Sequence, residues 1–187
     1  MKTVMSVFPL LFVVFALSSS AHAIEKPNID LYKGTLNGRV FYTLTIDGIT
    51  DLFGGPSHQN KMSVKGVDFN TQIFYQDLGL EFEVDKTSCR LITIDISGKT
   101  LNTISIKVKD MNVKKYSGVL SKNIDGNWKL QRVMAEFKDY KPELGESSAP
   151  DKSVRAKIVD VKFSNYTVTF HFDDVTEFLD AILIVRD

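Results

Sequence analysis

Apolar positions fall into two regimes along this chain. After Met1-Lys2, positions 4–17 are almost wholly apolar, and Ser18-Ser19-Ser20 and Ala21-His22-Ala23 follow. A positive start, a short apolar stretch and a small–x–small tripeptide make the pattern of a secretory leader. The stretch is shorter than the roughly 20 residues a spanning helix needs. Cleavage is expected after Ala23, leaving 187 − 23 = 164 residues. Ile24 rather than a Cys directly follows the cleavage point, so no lipid anchor is expected, and with no other long apolar stretch no membrane span after cleavage is expected.

Beyond the leader, short alternating segments take over. Val40, Tyr42, Leu44 and Ile46 alternate with Phe41, Thr43 and Thr45, which predicts a strand closed by Asp47-Gly48. Leu130, Val133, Met134 and Phe137 fall at i, i+3, i+4 and i+7, one apolar face of a short helix. A counterpart covers Ile49 to Phe53, before the helix-stopping Gly54-Gly55-Pro56. Ile73/Tyr75 and Leu80/Phe82/Val84 flank Asp77-Leu78-Gly79 as a hairpin, and Ile92/Ile94/Ile96 predicts the next strand. Ile104, Ile106 and Val108 alternate with Ser105, Lys107 and Lys109, the lysine-bearing pattern of an edge strand.

The pattern also repeats. Tyr32-Lys33-Gly34-Thr35-Leu36 and Tyr116-Ser117-Gly118-Val119-Leu120 share Y-x-G-x-L at an offset of 84, which also pairs Leu44 with Trp128 and Phe53 with Phe137. After a loop of differing length, an offset of 88 pairs Tyr75 with Phe163, Phe82 with Phe170, Asp85 with Asp173 and Ile94 with Ile182. The expected organisation is a leader (1–23) and two tandem β-rich repeats (24–97 and 98–187). The expected class is α+β, mostly antiparallel β-sheet with one short helix per repeat. Units of this size are small for independent folding, so the two should share a core.

Gly55-Pro56-Ser57, Tyr75 and Ile94-Asp95-Ile96 give an order of elements that resembles tandem-domain bacterial periplasmic proteins of unknown function. The order is also similar to small outer-membrane assembly lipoproteins and to tandem-repeat β-lactamase inhibitor proteins. The chain lacks the lipoprotein Cys and any disulfide pair, so neither activity is carried over. The resemblance implies a class of work, the binding of other envelope or secreted proteins.

Composition narrows the chemistry. With 23 basic and 23 acidic side chains, the chain has no basic excess for phosphates, which excludes a nucleic-acid partner. One Cys excludes an internal disulfide and a Cys-based zinc cluster. Cys89 aligns with Glu177 at the offset of 88, which predicts an exposed turn thiol. Nucleophilic catalysis needs an oriented base beside the nucleophile. His58 lies in a loop without a G-x-S-x-G elbow, and His171 between Phe170 and Phe172 points to the wetter sheet face. Asp173, Asp174 and Glu177 lack calcium-loop spacing, so no metal and no cofactor is expected.

The surface expected to matter comprises Phe41 and Phe74 if exposed, together with His58, His171, Asp173 and Asp174. Phe41 and Phe74 are ordinary core residues if a helix covers their face. Together these features favour a periplasmic, non-enzymatic protein-binding module, an immunity or inhibitor protein or an envelope-assembly accessory; a secreted protein is the second choice. The alternative is a carrier of a small apolar ligand between the sheets. It predicts a cavity of several hundred Å³ lined by Phe82, Phe170 and Phe172.

Overall fold

The computed structural model describes residues 26–64, 67–98, 112–148 and 155–187. The leader and the strand expected at Ile104, Ile106 and Val108 lie outside them. In the first half the elements are β1 (Asn28–Asp30), β2 (Thr35–Leu36), β3 (Arg39–Val40), α1 (Ile46–Phe53), β4 (His58–Val64), β5 (Val67–Tyr75), β6 (Leu80–Val84) and β7 (Cys89–Asp95). In the second they are β8 (Val119–Leu120), α2 (Leu130–Glu136), β9 (Glu143–Ser148), β10 (Arg155–Lys162), β11 (Tyr166–Phe172) and β12 (Leu179–Arg186).

One eight-stranded antiparallel sheet dominates, in the order β4-β5-β6-β7-β12-β11-β10-β9. Each expected half thus gives a four-stranded meander, and the second meander runs in mirrored order. Their last strands meet at the centre, with Ile94 opposite Ile182, Thr93 opposite Leu183 and Ile92 opposite Ile184. A small second sheet (β3-β2-β1-β8) ties the two halves through the parallel pair β1–β8. The mostly antiparallel α+β architecture expected from the pattern is what the chain adopts.

The helices lie on one face of the large sheet. Ile49 and Phe53 of the first half and Val133 and Phe137 of the second are buried. Phe53 stacks on Phe82 with ring centroids 6.2 Å apart, and Phe137 meets Phe170 at 5.2 Å. Burying each such side chain is worth about 1.5–3 kcal/mol, so these pairs anchor helix to sheet. Thr45 caps α1 by accepting the Gly48 N–H, and Gly54 ends it with φ 75°. The strand expected over Val40–Ile46 is shorter than its alternation suggests. Phe41–Thr43 forms a 3-10 turn, which brings Phe41 and Leu44 to the same buried side, and Ile46 already belongs to α1.

The register corrects the offset of 88 on either side of β6 and β11: Tyr75 holds the position of Val161 rather than Phe163, Ile94 that of Ile184 rather than Ile182, and Cys89 is displaced likewise. In the first half, β6–β7 pairing runs from Leu80↔Ile94 to Glu83↔Leu91, then shifts at a bulge to Val84↔Cys89. In the second, β11–β12 runs from Val168↔Ile184 to His171↔Ala181, then shifts to Phe172↔Leu179. Cys89 therefore holds the position of Leu179, an offset of 179 − 89 = 90, because the second turn is two residues longer. Its thiol is not an exposed turn group: it is fully buried, and burial pushes it up to about 12. The backbone agrees, since Cys89 N–H donates to Leu44 O at 2.7 Å and Leu179 N–H to Trp128 O at 2.9 Å.

Candidate functional site

The residues singled out from sequence do not converge. Phe41 and Phe74 are each 1% exposed, so both are packed and neither presents a surface anchor. Phe41 meets Tyr166 edge-on at 5.2 Å. Phe74 lies on the sheet face opposite α1, 6.0 Å from the ring of exposed His58 across the β4–β5 pair. His171 is half-buried on that same face, and burial holds its pKa below the ordinary imidazole value. Asp173 is spent on its own turn, accepting the N–H groups of Val175 and Thr176 and the Thr176 hydroxyl; Asp174 is exposed beside it. Asp85 does the same work in the first half, accepting from Thr87 and Ser88, and these bonds hold its carboxyl well below the usual range.

What the fold does bring together is an aromatic corner in the second half. The β5–β6 turn closes tightly at Tyr75↔Leu80, while β10–β11 runs on past the matching pair Val161↔Val168 to Lys162↔Thr167. The second hairpin is thus two residues longer. At the first corner the chain from Val113 onward fills the space against the turn. Lys114 N–H donates to Gln76 O at 2.9 Å, Tyr116 N–H to Asp95 O at 2.6 Å, and Lys114 pairs with Asp77. A Cβ on Gly79 would come within 2.5 Å of the Tyr116 nitrogen. This corner is shut.

At the second corner the β1–β2 turn plays that part, meeting the longer hairpin through Tyr166, whose hydroxyl donates to Leu31 O at 2.8 Å, and through Tyr32, edge-on to Phe163 at 6.4 Å. A cleft of about 590 Å³ remains. Its aromatic lining is Tyr32, Tyr42, Tyr140, Phe163 and Tyr166, and its polar lining is Lys33, Lys162, Ser164 and Asn165. Phe163 stacks on Tyr166 at 4.8 Å, and Tyr140 tilts onto Phe163 at 4.7 Å. Tyr32 stacks on buried Phe137 at 5.2 Å, tying the cleft to the core.

Two of the hydroxyls are committed within the fold. Tyr166 is held by Leu31, and Tyr32 donates to Glu136 at 2.6 Å. Burial raises the pKa of both tyrosines, and the Glu136 hydrogen bond raises that of Tyr32 further. The same bond, with Lys122 nearby, keeps the Glu136 carboxyl below its ordinary value. Tyr42 accepts from Asn165 Nδ2 at 3.4 Å, leaving its own O–H proton to donate outward. Lys33 lies 3.7 Å from half-buried Asp30, and Lys162 3.0 Å from Glu143 in an exposed pair. The cleft therefore offers ring faces and hydrogen-bond donors, with no carboxylate in its lining.

A second, smaller cleft of about 310 Å³ lies between the start of α1 and the β6–β7 turn, lined by Thr45, Asp47, Val84 and Lys86 among others. In the second half the longer turn fills the matching place: Phe178 bridges to Lys129, whose ammonium sits 4.9 Å over its ring. Phe82, Phe170 and Phe172, expected around a ligand cavity, are fully buried and line neither cleft. Among the described residues no group of three metal-ligating side chains converges, and no helix is long and apolar enough to cross a membrane.

Sequence reasoning passed over the aromatic corner. Tyr32 entered only as part of a repeat motif, and Phe163 as the counterpart of Tyr75. The available signal was asymmetry, since Phe163 and Tyr166 stand where the shorter first-half hairpin carries Asp77 and Leu78.

No family model matches the chain, and no curated protein matches it. Among solved structures it is similar to an extracellular protein containing an SCP domain from Bacillus anthracis str. Ames. The identity is 14% and the TM-score 0.47, over 79% of this chain and 44% of that one. The chain thus spans less than half the length of that protein, and a similarity at this level says nothing of its function.

Proposed function

We propose that this chain is an exported, non-enzymatic protein-binding module built from two copies of one unit, and that a partner docks on the open corner. The observation that carries the reading is the contrast between corners: the tyrosine-lined cleft exists at one and is filled at the other. Tyrosine suits protein recognition because its ring supplies apolar contact area and its hydroxyl a directed bond. Tyr140, 39% exposed, is the accessible ring. The two-copy origin is supported by the matched Phe53–Phe82 and Phe137–Phe170 pairs, the bulges at Val84 and Phe172, and the bonds from Cys89 to Leu44 and Leu179 to Trp128. Export to the periplasm rests on the leader, and mass measurement of the mature chain starting at Ile24 tests it.

For the binding reading, a tagged chain expressed at native level is recovered from the envelope fraction. The expected result is one stoichiometric partner, lost with Tyr140→Ala plus Lys162→Ala and kept with Asp77→Ala plus Lys114→Ala at the shut corner. No partner at native expression, or equal recovery by both variants, overturns the reading. A toxin or secreted enzyme as the partner assigns an immunity or inhibitor role, and an outer-membrane assembly factor assigns an accessory role.

A further inference from the structure

The large sheet ends in two edges among the described residues, β4 and β9, which hold matching places in the mirrored halves. An edge strand leaves every second N–H and C=O without a ladder partner, which makes it a template for one more strand. The two edges are guarded differently. β4 breaks its register at a bulge between Met62 and Ser63, and on the helix side it presents Gln59 and Lys61, opposite Ile73 and Thr71. A bulge and an edge lysine both work against stray pairing. β9 has neither, and its six pairs with β10, from Asp160↔Glu143 to Arg155↔Ser148, run without a shift. On the helix side it presents Leu144, opposite buried Val159 and itself 62% exposed.

The neighbouring hairpin fixes which backbone groups of β9 are open. Phe163 N–H donates to Tyr166 O at 2.9 Å, so these two residues form a hydrogen-bonded pair. Alternation then turns the odd-numbered residues of β10 toward β11 and the even-numbered ones toward β9. The bonded pairs across β9 are therefore Asp160↔Glu143, Ile158↔Gly145 and Ala156↔Ser147. That leaves the N–H and C=O of Leu144 and Glu146 pointing away from the sheet, spaced as the backbone of a further strand requires.

We propose that β9 is a docking edge: an extended segment of the partner adds antiparallel to it as a further strand, bonding the N–H and C=O of Leu144 and Glu146 and laying apolar side chains against Leu144. This rests on the protein-binding reading above and specifies how the partner is held. The edge continues from the open corner, since Tyr140, whose ring meets Phe163 there, directly precedes Lys141-Pro142 and β9. Antiparallel addition follows the rest of the sheet and is the more stable pairing per residue. A second copy of the chain fits poorly. Two β9 strands paired through both Leu144 and Glu146 set their Glu146 side chains opposite or diagonal to one another, and like charges so placed repel.

The test uses a dye-labelled peptide, Lys-Thr-Val-Thr-Val-Thr-Lys, titrated with the mature chain and read by fluorescence anisotropy. Residues of an added antiparallel strand that bond Leu144 and Glu146 carry their side chains on the Leu144 face, which places the valines there. N-methylation of both valines should therefore weaken binding at least about tenfold, and N-methylation of the middle threonine should not. In the complex, hydrogen exchange at the Leu144 and Glu146 amides should slow at least about tenfold, with no change along β4. Glu146→Pro removes an outward N–H while sparing every bond to β10, and should cost the peptide at least about tenfold in affinity. If that variant does not fold, the methylated peptides on the unaltered chain still decide. Equal binding of the three peptides overturns the proposal, as does no saturable binding up to about 1 mM, or slowed exchange on β4 in place of β9. A dimer of the chain alone that Glu146→Pro dissolves also overturns it, in favour of a second copy. If recovery of a partner depends on Tyr140 but survives Glu146→Pro, strand addition falls and protein binding stands. If the peptides behave as expected but no partner is recovered, the reverse holds.

Discussion

The two hairpin corners of this molecule are built from the same parts and end in opposite states. At the first, the β5–β6 turn accepts the Lys114 amide, and Gly79 lies so close to the Lys114–Tyr116 backbone that a single methyl group would collide. At the second, a hairpin two residues longer places Phe163 over the buried Tyr166 ring and leaves about 590 Å³ open. Nothing in the sheet beneath had to change. The open cleft goes with the longer turn and a different covering segment, while the strands, helices and core pairs below keep matching contacts. The α1 corner shows the converse, where the longer turn of the second half swings Phe178 in and fills the space.

The most severe way to break the comparison is to attack what the halves share. Phe53→Ala and Phe137→Ala should each cost about 4 kcal/mol in urea unfolding, because each empties a helix–sheet contact in the core. Costs differing by more than about 2 kcal/mol would mean that the two helices do not hold equivalent places. Next is Gly79→Ala, expected to cost about 3 kcal/mol through both the backbone clash and φ +66°. Ser164→Ala in the open hairpin should cost less than about 0.5 kcal/mol, since its side chain is exposed.

The sheet face away from the helices gives a pH comparison. Glu81 is 3% exposed, and burial together with the neighbouring Glu83 pushes its carboxyl up to about 7, against a Gln72 hydrogen bond that pulls it down. The folded chain keeps that proton while the unfolded chain releases it near 4.5, so this group's contribution to stability falls as pH rises from 4.5 through 7. Between pH 5 and 8 the wild type should lose about 2–3 kcal/mol relative to Glu81→Gln, read from urea midpoints. His171 in the second half works with the opposite sign. Its folded pKa lies below 6.5, so its penalty lifts as pH rises, and His171→Gln should remove a gain rather than a loss. The tyrosine hydroxyls carry a smaller effect than these core and backbone changes. Tyr75→Phe frees Gly54 O and Tyr166→Phe frees Leu31 O, each at about 1 kcal/mol in thermal unfolding. Tyr166→Phe should leave the core unchanged while loosening the open corner, seen as faster hydrogen exchange at Leu31 to Gly34 and no change near Gly54.

The parts of the fold legible in the sequence are those where period and burial coincide. Tyr75, Leu80, Phe82 and Ile92 alternate because one face of their strands meets the helices, and α2 shows its stripe because Val133 and Phe137 pack on that face. The loop Gly55-Pro56-Ser57 also has its reason, since Tyr75 bonds Gly54 O and the Ser57 hydroxyl accepts the Gln76 N–H. Alternation misled at Phe41 to Leu44, where a 3-10 turn satisfies burial at i and i+3 that a strand would also suggest at alternate places. Cys89 was misplaced because a fixed offset cannot register a longer turn. The aromatic corner was illegible for a related reason: its residues come from three separated turns, and only the sheet brings Tyr32, Tyr140 and Phe163 to one place.

The mirrored hairpins carry a rule about permissible change. Matching positions in the two halves are separated by 86 residues on β5 and β10, 88 on β6 and β11, and 90 on β7 and β12, and the helices by 84. Every one of these spacings is even. A strand alternates its side chains, so slipping β11 by a single residue against β10 would turn it inside out, sending Phe170 to the solvent side and Thr169 into the core. Parity thus acts as a grammar for the paired strands of this sheet: a change of register keeps the core face only in steps of two, and a single residue inserted inside a strand is tolerated only where a bulge absorbs it.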